Sequence, residues 1–282
     1  PFGVQDRRYK TDILLMRKIP AAGIPWRMGA GSSDECGKSA FEGDELPHEV
    51  TLSADYYFGV YPLTQRQYLL IHENAKGSYP DVPGGKSPSN YSGPDADIHP
   101  VENVVYTYFR GSSAWPGSGH TIADGDKGRM IGRARALTGV ELDLPTEAQW
   151  EFAARGGVGS AYVDGTSTWK DSLGWTSSNA DYDGKTRAVG QGAANAWGIY
   201  DLHGNVWETC LDWYGTGYYA VSPAEDPEGP SVSTDYRTTR GGGYSSPSSS
   251  ARLSKRGYVK YNASTAINTG ARFVCPAIVP GE

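Results

Sequence analysis

The sequence predicts an α+β fold that is rich in loops and holds only a few short helices. Three observations lead there. Gly (37) and Pro (18) are plentiful among 282 residues, so turns and irregular segments must outnumber long regular elements. The runs with strand character are brief and bounded by turn residues. Eight Trp and 19 Tyr supply the aromatic slabs that can fill the core of such a fold. An aromatic-lined binding face is the alternative for some of them.

In chain order, Lys18-Ile19-Pro20 to Met28-Gly29 reads as a short strand pair entering a Gly/Ser loop that runs to Gly43. His48–Leu52 and Tyr56–Val60 follow as β-rich runs. Thr64-Gln65-Arg66-Gln67 has the form of a capping box, in which the first side chain bonds the amide of the fourth residue and the fourth bonds back. A helix should run from there to about His72. Residues 77–100 are loop, and Val101–Tyr108 is an apolar run that could open a second helix. The clearest helix begins at Thr146-Glu147-Ala148-Gln149, a second capping box, and should stop at Gly156-Gly157. Beyond it helical periodicity is almost absent, and short strands are expected at Gly198–Tyr200 and Val206–Glu208. Composition does not shift sharply anywhere, so residues 1–282 are expected to form one domain.

Charge and cysteine usage exclude several functions. The net charge is −6 and no basic run or stripe occurs, which leaves nucleic acid no electrostatic footprint. No stretch is long and apolar enough to span a membrane, and the start of the chain carries no apolar signal segment. Cys36, Cys210 and Cys275 are widely spaced and odd in number, so a full disulfide framework is excluded and buried or free thiols with at most one bridge are expected. The five His residues show no metal-ligand spacing.

Several segments, in order, resemble the formylglycine-generating enzyme, or sulfatase-modifying-factor, family. They include Asp44–Val50, Tyr61-Pro62-Leu63-Thr64, His99-Pro100-Val101, Leu144–Gly157, Asn195–Glu208, Arg240-Gly241-Gly242 and Gly270–Val274. The resemblance implies a C-type lectin-like α+β fold. It also implies a pair of copper-binding cysteines soon after the R-G-G motif, but residues 243–254 contain no cysteine. Serine hydroxyls are poor ligands for soft Cu(I), so the family's known catalysis is not expected here. Asp143, Glu147 and Glu151 could supply an acid/base pair for a hydrolase, but Glu147 and Glu151, one helical turn apart, are expected to lie on a solvated face.

The C-terminal segment, about 240–274, is more similar to the variable proteins of diversity-generating retroelements, of the Treponema variable protein type. In these, adenine-templated positions are randomised within a fixed lectin-like scaffold. Here the scaffold would be Arg240-Gly241-Gly242, Ala251–Ser254, Arg256 and Gly270–Phe273. Randomising both adenines of an AAC or AAT codon cannot yield Lys, Glu, Gln, Met or Trp. Between Gly241 and Thr269 only Lys255 and Lys260 fall outside what such codons give. The alternative is an ordinary Ser/Tyr-rich surface loop.

The resemblance implies a non-catalytic, receptor-like protein with a hypervariable binding surface, displayed on the bacterial cell surface as an outer-membrane lipoprotein whose anchor lies outside this sequence. The partner would be a variable ligand, a protein or other cell-surface molecule. Tyr244, Tyr258 and Tyr261 would be its aromatic anchors, with Ser245, Ser246, Ser248, Ser249, Asn262 and Ser264 around them, all converging on one exposed patch. Arg240 would pair with Glu208 or Asp212. No catalytic cofactor is expected. A structural calcium or magnesium ion would sit at Asp201, Gly204, Val206 and Glu208, the alternative being a buried salt bridge at Glu208. The competing function is an oxidase of the formylglycine-generating type or another enzyme of the same fold.

Overall fold

The computed structural model describes residues 2–30, 44–74, 88–112, 115–116, 119–263 and 266–277. Cys36 and Ser264 lie outside them. The described chain is loop-rich α+β, and its elements are short. In order they are α1 (Arg8–Thr11), β1 (Met16–Ile19), β2 (Pro25–Met28), β3 (His48–Thr51), β4 (Tyr56–Gly59) and α2 (Gln65–Asn74). Then come α3 (Tyr106–Arg110), α4 (Met130–Thr138), α5 (Glu147–Arg155), β5 (Trp207–Trp213), β6 (Tyr236–Arg240), β7 (Arg256–Lys260), β8 (Thr269–Gly270) and β9 (Val274–Pro276).

Both capping boxes form. Thr146 Oγ1 accepts from the Gln149 amide at 3.1 Å, and Gln149 Oε1 accepts from the Thr146 amide at 3.0 Å. The Thr64–Gln67 pair does the same at the start of α2. These bonds satisfy amides that a helix start leaves without partners. Gly156 ends α5 at φ 55°, a left-handed turn that suits glycine.

The strands pair differently from their sequence order. β1 and β2 do not form the expected pair: β1 lies antiparallel to β4, which also pairs with β9, while β2 pairs with β3. The remaining sheet has the order β7-β6-β5-β8, with β8 parallel to β5. No strand forms at Gly198–Tyr200. Asn195 instead caps that turn, its Oδ1 accepting from the amides of Trp197 and Ile199. The apolar run at Val101 becomes helical only from Tyr106.

Helix α5 positions everything that follows. Trp150, Ala153 and Ala154 are fully buried in a core shared with Ile19, Val50, Phe58, Leu202 and Leu253. A second core gathers α2, α3 and α4 around Tyr106, Phe109, Ile131 and Phe273. Burying such side chains contributes about 1.5–3 kcal/mol each before chain entropy is charged against it.

Candidate binding surface

The segment after β6 is held by arginines that reach inward. Arg272 meets Glu208 through two bonds, Nη2 to Oε1 at 2.6 Å and Nε to Oε2 at 2.9 Å. Arg256 meets Glu147 through two more, both 2.8 Å. Arg252 meets Glu45 in the same two-pronged way, both at 2.9 Å. Arg240 pairs with Glu151 and also donates to the carbonyls of Ser254 and Lys255 at 2.7 Å each. Planar guanidinium and carboxylate groups match in this geometry, which fixes direction as well as distance. All eight side chains are buried.

Two expectations are corrected here. Arg240 pairs with neither Glu208 nor Asp212: Glu208 belongs to Arg272, and Asp212 accepts from the Glu147 amide at 2.7 Å. Nor do Glu147 and Glu151 occupy a solvated face, being 1% and 0% exposed. The face of α5 that carries them is turned into the protein, where each carboxylate receives an arginine from the C-terminal segment. Burial alone would raise the Glu151 carboxyl, but the charges of Arg155 and Arg240 outweigh it and hold the group below its ordinary value.

His203 adds a neutral anchor. Its Nδ1 donates to the Ala251 carbonyl at 2.7 Å, and its Nε2 accepts from the Val163 amide at 3.0 Å. Burial pushes its pKa down to about 4, so the ring keeps the one tautomer that satisfies both bonds.

Between these anchors the outward positions diverge. Ser245, Ser249, Tyr258 and Asn262 are exposed, while Ser246, Ser248 and Tyr261 are half-buried. Tyr244 is buried, with 6% exposure, and its amide donates to the Asn205 carbonyl at 2.8 Å. The residues do not converge on one patch. Ser245 and Ser246 gather around Trp207 and Asn268: Trp207 Nε1 donates to Ser246 Oγ at 3.1 Å, and the Asn268 amide group donates to Ser245 Oγ. Trp207 lies so close against β7 that a Cβ on Gly257 would come within 2.5 Å of its ring. Tyr258 is the next residue along β7, so its side chain points to the opposite face of the sheet. There it packs against Tyr214 and Tyr236, with ring centroids 4.7 and 5.3 Å away. Tyr261 turns back to Trp213 at 5.3 Å. The serine-rich loop and the Tyr258 cluster are thus two surfaces. Trp207, Asn268, Tyr214 and Tyr236 escaped the sequence reading because strand register alone brings them beside the named residues.

The metal expectation meets a protein cation already in place. Glu208 is 1% exposed, and its oxygens receive two Arg272 donors and the indole N–H of Trp150 at 2.7 Å. Asp201 accepts from the Gly190 amide at 2.5 Å, and burial pushes its carboxyl up to about 6 against that bond and the charge of Arg272. A calcium or magnesium ion at Glu208 would have to sit beside the guanidinium that already neutralises it, so Asp201, Gly204, Val206 and Glu208 do not fit the ion as placed. Among the described residues no other group of three or more His, Cys, Asp or Glu side chains could hold a metal ion. Cys210 and Cys275 are free and buried.

The family described as "Sulfatase-modifying factor enzyme 1-like domain" matches residues 25–277, so the chain belongs to that family. A formylglycine-generating enzyme of Streptomyces coelicolor is 38% identical over 112 residues, 36% of this chain and 35% of that enzyme. The chain thus matches only about a third of that curated relative's length. Among solved structures, Treponema denticola variable protein 1 superposes with TM-score 0.67 at 22% identity, covering 93% of this chain and 94% of that one. PvdO from Pseudomonas aeruginosa superposes with TM-score 0.71 at the same identity and coverage. The C-type lectin-like, formylglycine-generating-enzyme type of fold is therefore shown. At these identities the structures speak for the fold alone.

Proposed function

We propose that this chain is a non-catalytic binding protein whose C-terminal segment presents a variable surface to a ligand. The observation that carries the reading is the split within residues 240–274. Arg240, Arg252, Arg256 and Arg272 are buried against carboxylates, while Ser245, Ser249, Tyr258 and Asn262 stand in solvent. Such a division lets surface side chains change while the backbone stays fixed. Tyr and Ser suit the task, one giving a rigid amphipathic ring and the other adaptable hydrogen bonding.

The stretch where enzymes of the family carry copper-binding cysteines holds serines in this chain. Cys210 is buried in β5, and burial raises its thiol well above the ordinary value, which disfavours the thiolate that copper would need. By resemblance to retroelement variable proteins, the ligand is a protein or another cell-surface molecule, and the protein is anchored at the bacterial surface through a lipid outside this sequence. No helix among the described residues is long and apolar enough to cross a membrane.

Two measurements test the reading. Oxygen consumption by the copper-loaded protein with a cysteine-containing peptide should stay at background, and turnover would overturn the proposal. Sequencing the gene across sister isolates should find substitutions concentrated between Gly243 and Thr269 and sparing Arg252 and Arg256. An even spread along the chain would count against diversification.

A further inference from the structure

Glu102 differs from the other buried glutamates among the described residues. Glu45, Glu147, Glu151 and Glu208 each face an arginine, and Asp143 faces Arg110. Glu102 is just as buried, at 1% exposure, yet among the described residues no cation is paired with it. Its Oε1 accepts from the Asn90 amide at 3.1 Å, and its Oε2 has no hydrogen-bond partner among the described residues. The carboxyl lines a cleft of about 300 Å³ between the loop at Asn90–Gly93 and the pair Gly184-Lys185, with Tyr91 and Tyr244 also in its wall. A buried carboxylate oxygen without a donor costs free energy that a ligand carrying the missing donor can recover.

We infer that this cleft is a subsite for a cationic group of the ligand, a primary ammonium or a guanidinium, with Glu102 as its counter-charge and Tyr91 and Tyr244 as aromatic walls. The inference deepens the binding reading above and rests on it, since Tyr244 belongs both to the C-terminal segment and to the cleft. Three features favour a cation over a neutral donor. Every other buried glutamate among the described residues is matched by an arginine within the fold. Aromatic faces attract cations as they are desolvated. Burial also raises the Glu102 carboxyl, opposed by the amides of Asn90, Tyr91 and Asn268 and by Tyr244, so an arriving cation stabilises the ionised form. Lys185, exposed on the rim, is the charge that opposes occupancy. Asp183 and Arg187 lie close by and pair with each other at 3.1 Å, so they nearly cancel.

The test is an NMR titration of the whole chain with n-butylammonium chloride, using n-butanol as the neutral control at constant ionic strength. The ammonium should move the amide signals of Asn90, Gly93 and Lys185 saturably, with a midpoint at least about tenfold below that of butanol. Glu102→Gln should raise the midpoint about tenfold or more. Lys185→Glu, an exposed change with no burden on the core, should lower it severalfold. Equal responses to ammonium and butanol, or a midpoint that Lys185→Glu leaves unchanged or weakens, would overturn the inference. Failure of the broader reading shows up separately, as oxygen consumption or as an even spread of substitutions.

Discussion

The arginine frame and the serine loop are a few residues apart in sequence and opposite in character. Arg252 sits between Ser249 and Ser254, yet its guanidinium is bonded to Glu45, more than two hundred residues earlier. Ser249 nearby is exposed. The contrast teaches that variability in this segment is a matter of side-chain direction: inward positions are tied to distant parts of the chain, and outward ones to little.

Mutations can break this contrast in graded steps. Arg272→Ala would leave Glu208 as an uncompensated buried charge and should cost about 3–5 kcal/mol in urea unfolding, whereas Arg256→Ala should cost less, because Arg240 stays 3.6 Å from Glu147. A cost below about 1 kcal/mol for Arg272→Ala would remove the frame from the explanation.

Acid should loosen the same segment through His203. Its folded pKa of about 4 lies below the ordinary 6.5, so the unfolded chain binds the proton more readily. Its contribution is therefore fully present above pH 6.5 and is lost as pH falls towards 4, roughly 3 kcal/mol over that window. Thermal melts across this range should show the wild type losing stability faster than His203→Gln; parallel acid limbs would exclude the histidine as the cause.

Gly257→Ala should cost about 1–3 kcal/mol, because the added carbon would lie 2.5 Å from Trp207. The indole should shift, and fluorescence emission reads that directly. At the other end of the scale, Ser249→Ala and Tyr258→Ala should change stability by no more than about 0.5 kcal/mol each, the range of surface substitutions. A larger loss in denaturant melts would mean that these positions support the fold.

Local chemistry was legible in the sequence, and long-range pairing was not. Both capping boxes and the Gly156 stop follow from neighbours three or four residues apart, and they appear in the structure as expected. Helix α4 was missed although Met130, Ile131 and Ala134 face the core and Gly139 ends the helix at φ 68°. Gly132 in its middle argues locally against a helix, and only the close approach of the Lys127 carbonyl, which a Cβ there would meet at 2.3 Å, accounts for it. The carboxylate partners of the four arginines were equally hidden. Glu147 and Glu151 have helical spacing, but which way that face turns depends on packing by the C-terminal segment. Glu102 gave one faint signal, a lone charge in the apolar run Val101–Tyr108.

The frame has a consequence for length as well as for composition. Arg240 and Arg252 clamp the two ends of the stretch that carries the serines, so that stretch is a closed loop whose ends are already held together. The closure entropy of such a loop grows only logarithmically, about 0.6 kcal/mol for each doubling of its length. An insertion after the exposed Ser245, outside the 3-10 turn Ser248–Ala251, therefore costs far less than loss of either clamp, and the loop has room to change its reach as well as its side chains.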